Sequence, residues 1–205
     1  MLPPSTLVLL LALVGAAPYK ACTLWEPLPV KLFNHAAVEN GPLRLAKGEA
    51  AWLLKSVCVV VDWVPCAVVS VSHPEPCAAP SRAIELHILP SPLTDGFTET
   101  AMGFAFLSRG NAAVFLSRVR QLEASNLGII DLSGLLGHVM AQEIGHLMLN
   151  SSVHSSEGLM RADFRRVDLK KAAQRQLLFT AGQATAIRRN AEIGRKALGR
   201  SEINK

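Results

Sequence analysis

The pattern of apolar and polar residues divides the first third of the chain into three elements. Apolar and polar residues alternate from Leu28 to Asn34, which predicts a half-buried strand. Apolar residues then recur at helical spacing from Pro42 to Lys55. A nearly continuous β-branched run from Val57 to Val64 predicts a strand covered on both faces. This strand, helix, strand order with short connections implies a parallel pair joined by a right-handed crossover.

Three more strands are predicted in the middle of the chain. The segment from Ala83 to Leu89 indicates a third strand, which a proline at position 90 closes. Two short strands, Met102 to Leu107 and Ala112 to Ser117, flank a turn at residues 108–111 and predict a hairpin.

The second half of the chain is predicted to be helical. A long helix runs from about Leu132 to Leu149, with Asp131 or Ser133 as its N-cap. A second helix is predicted from Val167 to Leu177, and a capping-box pattern from Thr180 to Gln183 opens the last one. With 205 residues, half of them apolar, the chain is long enough to form one domain of the α/β (α+β) class.

The N-terminal segment indicates export. An apolar run from Leu7 to Val14 precedes the small residues Gly15, Ala16 and Ala17, which suit signal-peptidase cleavage. The run is too short to span a bilayer comfortably, although the segment before it has no positive charge. We expect a signal peptide over residues 1–17 and a secreted or periplasmic protein without stable membrane insertion after cleavage. A retained N-terminal anchor is the alternative.

The chain has cysteines at positions 22, 58, 66 and 77, which fit an exported protein because disulfides persist in oxidising compartments. Cys66 and Cys77 flank a proline-rich loop and are the preferred disulfide pair. Cys58 lies within an apolar run and is expected to be a buried free thiol. A zinc knuckle is the rival interpretation, but the sequence contains no C-x-x-C pair.

The net charge of +5 is unevenly distributed. From Arg161 onward the chain has 12 Lys and Arg residues against 4 Asp and Glu, whereas the first 160 residues carry 9 against 12. A basic segment of this kind can contact nucleic acid or an anionic surface. We favour a solvated helix face and no nucleic-acid partner, because no nucleic-acid-binding motif accompanies the charge.

The most informative motif lies in the long helix. Residues 142–146 read QEIGH, one change away from H-E-x-x-H, in which two histidines about 6 Å apart along the helix bind one metal ion. The glutamate of that motif takes a proton from metal-bound water, and here it is Glu143. His146 stands at the second ligand position, and His154 follows eight residues later, beyond a turn. Gln142 stands in place of the first histidine.

Two residues have to be weighed as substitutes for that missing histidine. His138 lies one turn before Gln142 but about 12 Å along the axis from His146, too far for both to bind one zinc at about 2.1 Å. We expect His138 to be a partly buried helix residue or a group that supports a ligand. Gln142 offers a neutral amide oxygen, which suits calcium or magnesium better than zinc. A weakened zinc site is the expectation.

Together with HSSEGLM at residues 154–160, the motif resembles the zincin metallopeptidases, and within them the metzincin-like group. The resemblance extends over about residues 28–189 to small secreted bacterial zinc-peptidase-like proteins that read HEIGH, a serine-rich loop and HSxxGIM. It implies one zincin-like domain over residues 28–198, with a small mixed twisted sheet, a site helix and C-terminal helices, before a frayed tail at 199–205. The third histidine lies eight residues after the second, whereas metzincins have six.

The resemblance also implies the roles of individual residues. Gln142, His146 and His154 would bind zinc, Glu143 would act as general base, and Met160 would form the methionine turn beneath the metal. The implied activity is zinc-dependent hydrolysis of a peptide or protein substrate, weakened by Gln142.

In the zincins an edge strand pairs with extended substrate, and residues 103–107 are the candidate here. Two alternatives to hydrolysis stay open: a catalytically inactive homologue that acts as a peptide-binding module, and a membrane-anchored structural protein. We expect a monomer.

Overall fold

The computed structural model describes Cys22, residues 27–66, Cys77, residues 83–93 and residues 100–202, with side chains to residue 192. The predicted signal peptide, residues 1–17, lies outside these ranges. Within them, no helix is long and apolar enough to cross a membrane.

The described ranges contain five strands and five helices, in the order β1, α1, β2, β3, β4, β5, α2, α3, α4, α5. The strands are β1 (Leu28–Asn34), β2 (Val61–Cys66), β3 (Ile84–Leu89), β4 (Gly103–Phe106) and β5 (Asn111–Phe115). The helices are α1 (Asn40–Lys55), α2 (Leu116–Ala124), α3 (Leu132–Leu149), α4 (Arg166–Ala173) and α5 (Ala181–Glu202).

The five strands form one mixed sheet in the order β2-β1-β3-β5-β4. β1 pairs in parallel with both β2 and β3, and β3 pairs in parallel with β5. β4 pairs antiparallel with β5, with Gly103 opposite Val114 and Phe106 opposite Asn111. The predicted α/β class, the parallel β1–β2 pair and the antiparallel hairpin are therefore confirmed. Of the described strands, β4 lies at one edge of the sheet and β2 at the other.

The prediction of a strand from Val57 to Val64, buried on both faces, is wrong. β2 begins only at Val61, and as an edge strand it is mostly half-buried or exposed. The preceding residues form the turn that ends α1, where the Cys58 N–H donates to the Lys55 carbonyl and Cys58 adopts a left-handed φ of 69°. The β-branched run therefore covers a turn as well as a strand.

Helix α2 was not predicted, because the strand of the hairpin was expected to continue to Ser117. β5 ends at Phe115, and a helix follows directly from Leu116 to Ala124. Its buried residues, Leu116 and Val119, are three apart, which is the helical period rather than the strand period.

Both predicted C-terminal helices are present. α4 ends at Ala173, earlier than predicted, and Arg175 leaves the helix with a φ of 56°. The capping box is formed: the Thr180 N–H donates to Gln183 Oε1 at 2.9 Å, and the Gln183 N–H donates to Thr180 Oγ1 at 3.3 Å. α5 extends to Glu202, into the segment that was predicted to fray, and residues 203–205 lie outside the description.

All four cysteines form disulfides. Cys66 is joined to Cys77, which is the predicted pair. The prediction of a free thiol at Cys58 is wrong, because Cys58 is joined to Cys22. That bond connects the segment before β1 to the turn after α1, a contact that spacing along the chain does not reveal.

The hydrophobic core lies between the sheet and helices α1 and α3. Alternate residues of the strands, such as Leu32, Leu86 and Ile88, face these helices and are at most 4% exposed. α3 is the central element, because it contacts α1, α2, α4, α5 and three of the strands. Nearly every residue from 133 to 146 is buried, so polar side chains along this helix lie in an apolar environment.

Candidate metallopeptidase-like site

Local sequence signals set the register of α3, the helix that carries the QEIGH motif. The Asp131 carboxylate accepts a hydrogen bond from the Gly134 N–H at 2.7 Å, so Asp131 rather than Ser133 is the N-cap. The helix ends at Asn150, whose φ of 50° is the left-handed conformation typical of a helix C-terminus. These two ends confirm the predicted helix and place positions 142 and 146 one turn apart on the same face.

The imidazole rings of His146 and His154 meet. Their centroids are 4.9 Å apart and the rings are nearly perpendicular, at 85°. His146 Nδ1 lies 2.7 Å from the Ser151 carbonyl, which can only accept, so this nitrogen carries the proton and Nε2 is left with its lone pair. Histidines that bind metals are commonly oriented by such a bond through their other nitrogen.

The environment of His146 disfavours its protonation. Burial lowers the pKa of His146, the hydrogen bond to Ser151 raises it, and the nearby His154 lowers it, with a net lowering. His146 is therefore neutral over a wider pH range than a solvent-exposed histidine, which is the form in which imidazole can bind a metal.

Glu143 is buried beneath the edge of the sheet. Glu143 is only 4% exposed, and burial raises the pKa of its carboxyl group from 4.5 to about 8. Its Oε2 atom has no hydrogen-bond partner among the described residues. A buried carboxyl group with an unpaired oxygen is costly for folding, and such groups are frequent at functional sites.

Gly103, at the start of β4, makes room for this carboxyl group. A Cβ atom at position 103 would lie 2.7 Å from Glu143 Oε1 and 2.5 Å from the Ala113 carbonyl oxygen. This strand was predicted to pair with a peptide, but its contact through Gly103 with Glu143 was not predicted. The available signal was the glycine itself, since a glycine within a strand often marks a close approach.

Gln142 is 3% exposed, and its side chain is engaged by the main chain. Its Nε2 donates a hydrogen bond of 2.6 Å to the carbonyl oxygen of Arg161. The orientation of the amide follows from this contact, because a carbonyl cannot donate. The amide of the expected first ligand is thus held through its nitrogen, which leaves only its neutral oxygen as a possible metal ligand.

The loop after α3 brings Met160 beneath the helix. The Ser155 N–H donates to the Met160 carbonyl at 2.8 Å, and the Leu159 N–H donates to the Leu178 carbonyl at 2.9 Å. Met160 is fully buried, and a Cβ at Gly145 would lie 2.9 Å from its sulfur atom. The structure therefore places Met160 against the helix one residue from His146.

Arg161 holds this loop together and was not singled out from the sequence. Its guanidinium donates to the Ser156 carbonyl, and its Nε lies 3.2 Å from Oδ2 of the buried Asp168 and 3.3 Å from the Asp163 carbonyl. A single arginine in a basic C-terminal segment gives no signal of such a role.

His138 belongs to the interior of α3. Its Nδ1 lies 2.8 Å from the Gly134 carbonyl, and burial lowers its pKa, against smaller raising effects of that bond and of Glu49. The residue is 1% exposed, so the expectation of partial burial is wrong. His138 therefore lies in the interior of the domain, close enough to Glu49 of α1 for that charge to affect its pKa.

The donor set fits zinc only in part. A catalytic zinc site has three protein ligands; His146 and His154 are suitable donors, but the third position offers only the neutral amide oxygen of Gln142, since its nitrogen is bonded to Arg161. Among the described residues, no group of three or more His, Cys, Asp or Glu side chains is arranged to hold a metal ion. With two imidazoles and a neutral amide oxygen, this donor set fits a catalytic zinc ion poorly.

Neither protein-family models nor curated protein sequences match this chain significantly. Its fold is similar to that of a zinc-dependent peptidase from Methanocorpusculum labreanum, with 16% identity and a TM-score of 0.53 over 77% of this chain and 99% of that one. It is also similar to archaemetzincin from Methanopyrus kandleri, with 11% identity and a TM-score of 0.57 over 81% of this chain and 96% of that one. The chain shares the overall fold of these two proteins. The predicted single-domain mixed α/β fold is thus confirmed, and the metzincin-like roles of individual residues remain predictions.

Proposed function

We propose that this is a metallopeptidase-like protein that binds a peptide segment in extended form along β4. The observation that carries this proposal is the position of Glu143 directly against Gly103 of that edge strand. A peptide paired with β4 would pass beside the buried carboxyl group. The solved structures of similar fold are those of zinc-dependent peptidases, which supports a peptide as the ligand.

The hydrogen-bonding pattern of the hairpin supports pairing with a further strand. The Phe115 N–H donates to the Met102 carbonyl at 2.7 Å, which makes these two residues a hydrogen-bonded pair. In an antiparallel ladder hydrogen-bonded and non-hydrogen-bonded pairs alternate. The main-chain groups of Gly103 and Ala105 therefore point away from β5, toward the side of β4 on which no other described strand pairs. They are the groups that an incoming peptide would use.

Aromatic side chains lie on the same strand. The rings of Phe104 and Phe106 meet edge to face, with centroids 4.8 Å apart, and Phe106 is 53% exposed. Apolar contacts with alternate side chains of a bound peptide would add affinity to the main-chain hydrogen bonds. We infer that the ligand is an extended segment with apolar residues.

The proposal is tested by replacing Ala105 with proline. Proline removes the outward N–H, while the β4–β5 ladder is retained because proline is tolerated at a strand edge where the N–H faces solvent. Binding of a fluorescently labelled library of short unstructured peptides is measured for wild type, Ala105→Pro and the control Ala105→Val, which keeps the N–H. We expect binding by wild type and Ala105→Val and at least a tenfold loss for Ala105→Pro, which corresponds to about one hydrogen bond. Equal binding by all three proteins contradicts the proposal.

Zinc-dependent hydrolysis is a second candidate function. In it Gln142, His146 and His154 would bind zinc, and Glu143 would act as general base. The meeting of the two imidazoles favours it, and the neutral amide of Gln142 at the third ligand position argues against it. Elemental analysis of the native protein, together with the activity of Glu143→Ala, separates the two candidates. Stoichiometric zinc, with hydrolysis that Glu143→Ala abolishes, would establish an enzyme.

We also propose that the protein acts outside the cytoplasm. Both disulfides support a secreted or periplasmic location, because such bonds are rare in reducing compartments. The proposal also includes a signal peptide over residues 1–17 that is cleaved, a domain over residues 28–198 and a monomeric state.

A further inference from the structure

One hydrogen bond joins the site helix to the loop that carries His154. Gln142 lies in the middle of α3, and its partner Arg161 lies 19 residues later in sequence, just after the loop. The bond is partly buried, and its donor end is shielded from water because Gln142 is only 3% exposed. A bond of this kind is stronger and harder to replace by water than an exposed one.

Arg161 connects this hydrogen bond to the segment that contains His154. Its main chain forms a parallel bridge with Ser155, the residue directly after His154. Its guanidinium closes the loop by binding the Ser156 carbonyl and Asp168. The segment from His154 to Arg161 is therefore a closed unit, and Gln142 fixes that unit to α3.

We infer that the Gln142–Arg161 hydrogen bond makes the structural connection between α3 and the His154 loop that a bound metal ion would otherwise make. An ion held by a helix residue and by His154 would cross-link the same two segments. Here an amide from the position of the missing ligand does so through the Arg161 carbonyl. The shape of the site then does not depend on a metal. One consequence rests on the proposed function: peptide binding should not change when metal ions are removed by a chelator.

Hydrogen exchange of the loop amides tests the inference. The Ser155 N–H is bonded to the Met160 carbonyl, and its exchange rate reports opening of the loop. Gln142→Met keeps the length of the side chain and its helix propensity but removes the donor. We expect exchange at Ser155 to become on the order of tenfold faster in this variant, because a buried hydrogen bond is lost and its acceptor is left unpaired.

The chain supplies a matched control. Asn190 Nδ2 donates to the Met148 carbonyl at 3.0 Å and so ties α5 to the end of the same helix α3. Asn190→Leu removes an equivalent side-chain donor without touching the His154 loop. Exchange at Ser155 should be unchanged in Asn190→Leu. Acceleration of equal size in both variants would mean that general destabilisation is the cause and would overturn the inference.

A second arm uses the wild-type protein, and it holds even if Gln142→Met fails to fold. Exchange at Ser155 is measured in EDTA and again with equimolar zinc, and the rates should agree within about twofold. Slower exchange with zinc would show that the metal makes the connection and would overturn the inference. Neither exchange experiment contains peptide, so both test this inference separately from the proposed function. The proposed function fails if the wild-type protein binds no peptide.

Discussion

Replacement of Gly103 by alanine tests the packing of β4 against Glu143. The added Cβ would lie 2.5 Å from the Ala113 carbonyl oxygen and 2.7 and 2.8 Å from the Oε1 and Cδ atoms of Glu143. All three distances are shorter than a van der Waals contact, and one partner is main chain of the neighbouring strand β5. Relief therefore requires displacement of the strand as well as of the carboxyl group.

The size of the effect follows from the cost of overpacking. Inserting a carbon atom into a tightly packed site costs about 1–3 kcal/mol. For a domain of this size each kcal/mol lowers Tm by about 2–4 °C, so Gly103→Ala should lower Tm by about 2–12 °C. Removing the carboxyl group relieves part of the clash. The loss of Tm should therefore be smaller when Gly103→Ala is combined with Glu143→Ala than in the wild-type background.

Gly48 provides a control of opposite sign. It lies exposed within α1, and a Cβ there would have no neighbour within 4 Å. Gly48→Ala should stabilise the protein by about 0.5–1 kcal/mol through helix propensity alone. Differential scanning calorimetry compares the Tm values of Gly103→Ala, Glu143→Ala, the double variant and Gly48→Ala with that of wild type. An unchanged or raised Tm for Gly103→Ala would refute the close packing of Gly103 against Glu143 and Ala113.

Two further predictions concern the chemistry of the site. Because the pKa of Glu143 is raised from 4.5 to about 8, the folded protein binds more protons than the unfolded chain between these values, and this residue's contribution to stability falls as pH rises. The stability of Glu143→Gln relative to wild type, measured by urea denaturation in EDTA, should therefore increase from about pH 5 to about pH 8. The increase should be at most about 1.4 kcal/mol per pH unit. A stability difference that stays constant over this pH range would contradict the raised pKa. Gln142→His supplies a third imidazole, so its zinc affinity in competition with a chelator should rise at least tenfold, and any peptide hydrolysis should rise with it. A zinc-loaded Gln142→His protein that cleaves no peptide library would count against zinc-dependent peptide hydrolysis at this site.

Much of the fold is encoded in local signals. The ends of α3 follow from Asp131, whose short carboxylate caps the first turn, and from Asn150, which adopts the left-handed conformation. The strand β1 was predicted with its observed limits because alternation of apolar residues directly reflects a half-buried strand. The capping box at Thr180 is local in the same sense.

Features that depend on distant contacts were not predictable in this way. The start of β2 depends on the left-handed turn at Cys58, and the disulfide from Cys58 to Cys22 joins segments 36 residues apart. Helix α2 was missed because its apolar residues directly follow those of β5. In each case the tertiary contact, rather than the local pattern, decides the structure.

The candidate site shows the same division. The resemblance implied that His146 and His154 share a metal ion, which requires their side chains to lie close together, and the two rings do meet. The partner of Gln142 is a main-chain carbonyl, and any residue at position 161 would offer one. The sequence therefore showed that position 142 departs from the H-E-x-x-H motif, but the structure was needed to find what the Gln142 side chain binds.

The most direct test of peptide binding along β4 is hydrogen exchange of the β4 amides with and without peptide, in the presence of EDTA. The N–H groups of Gly103 and Ala105 point away from β5, to the side of β4 that pairs with no strand of the described ranges, whereas those of Phe104 and Phe106 are directed toward β5. We predict that a bound peptide protects the amides of Gly103 and Ala105 and leaves those of Phe104 and Phe106 nearly unchanged. Protection confined to other parts of the molecule, or none with any peptide of the library, would contradict the account.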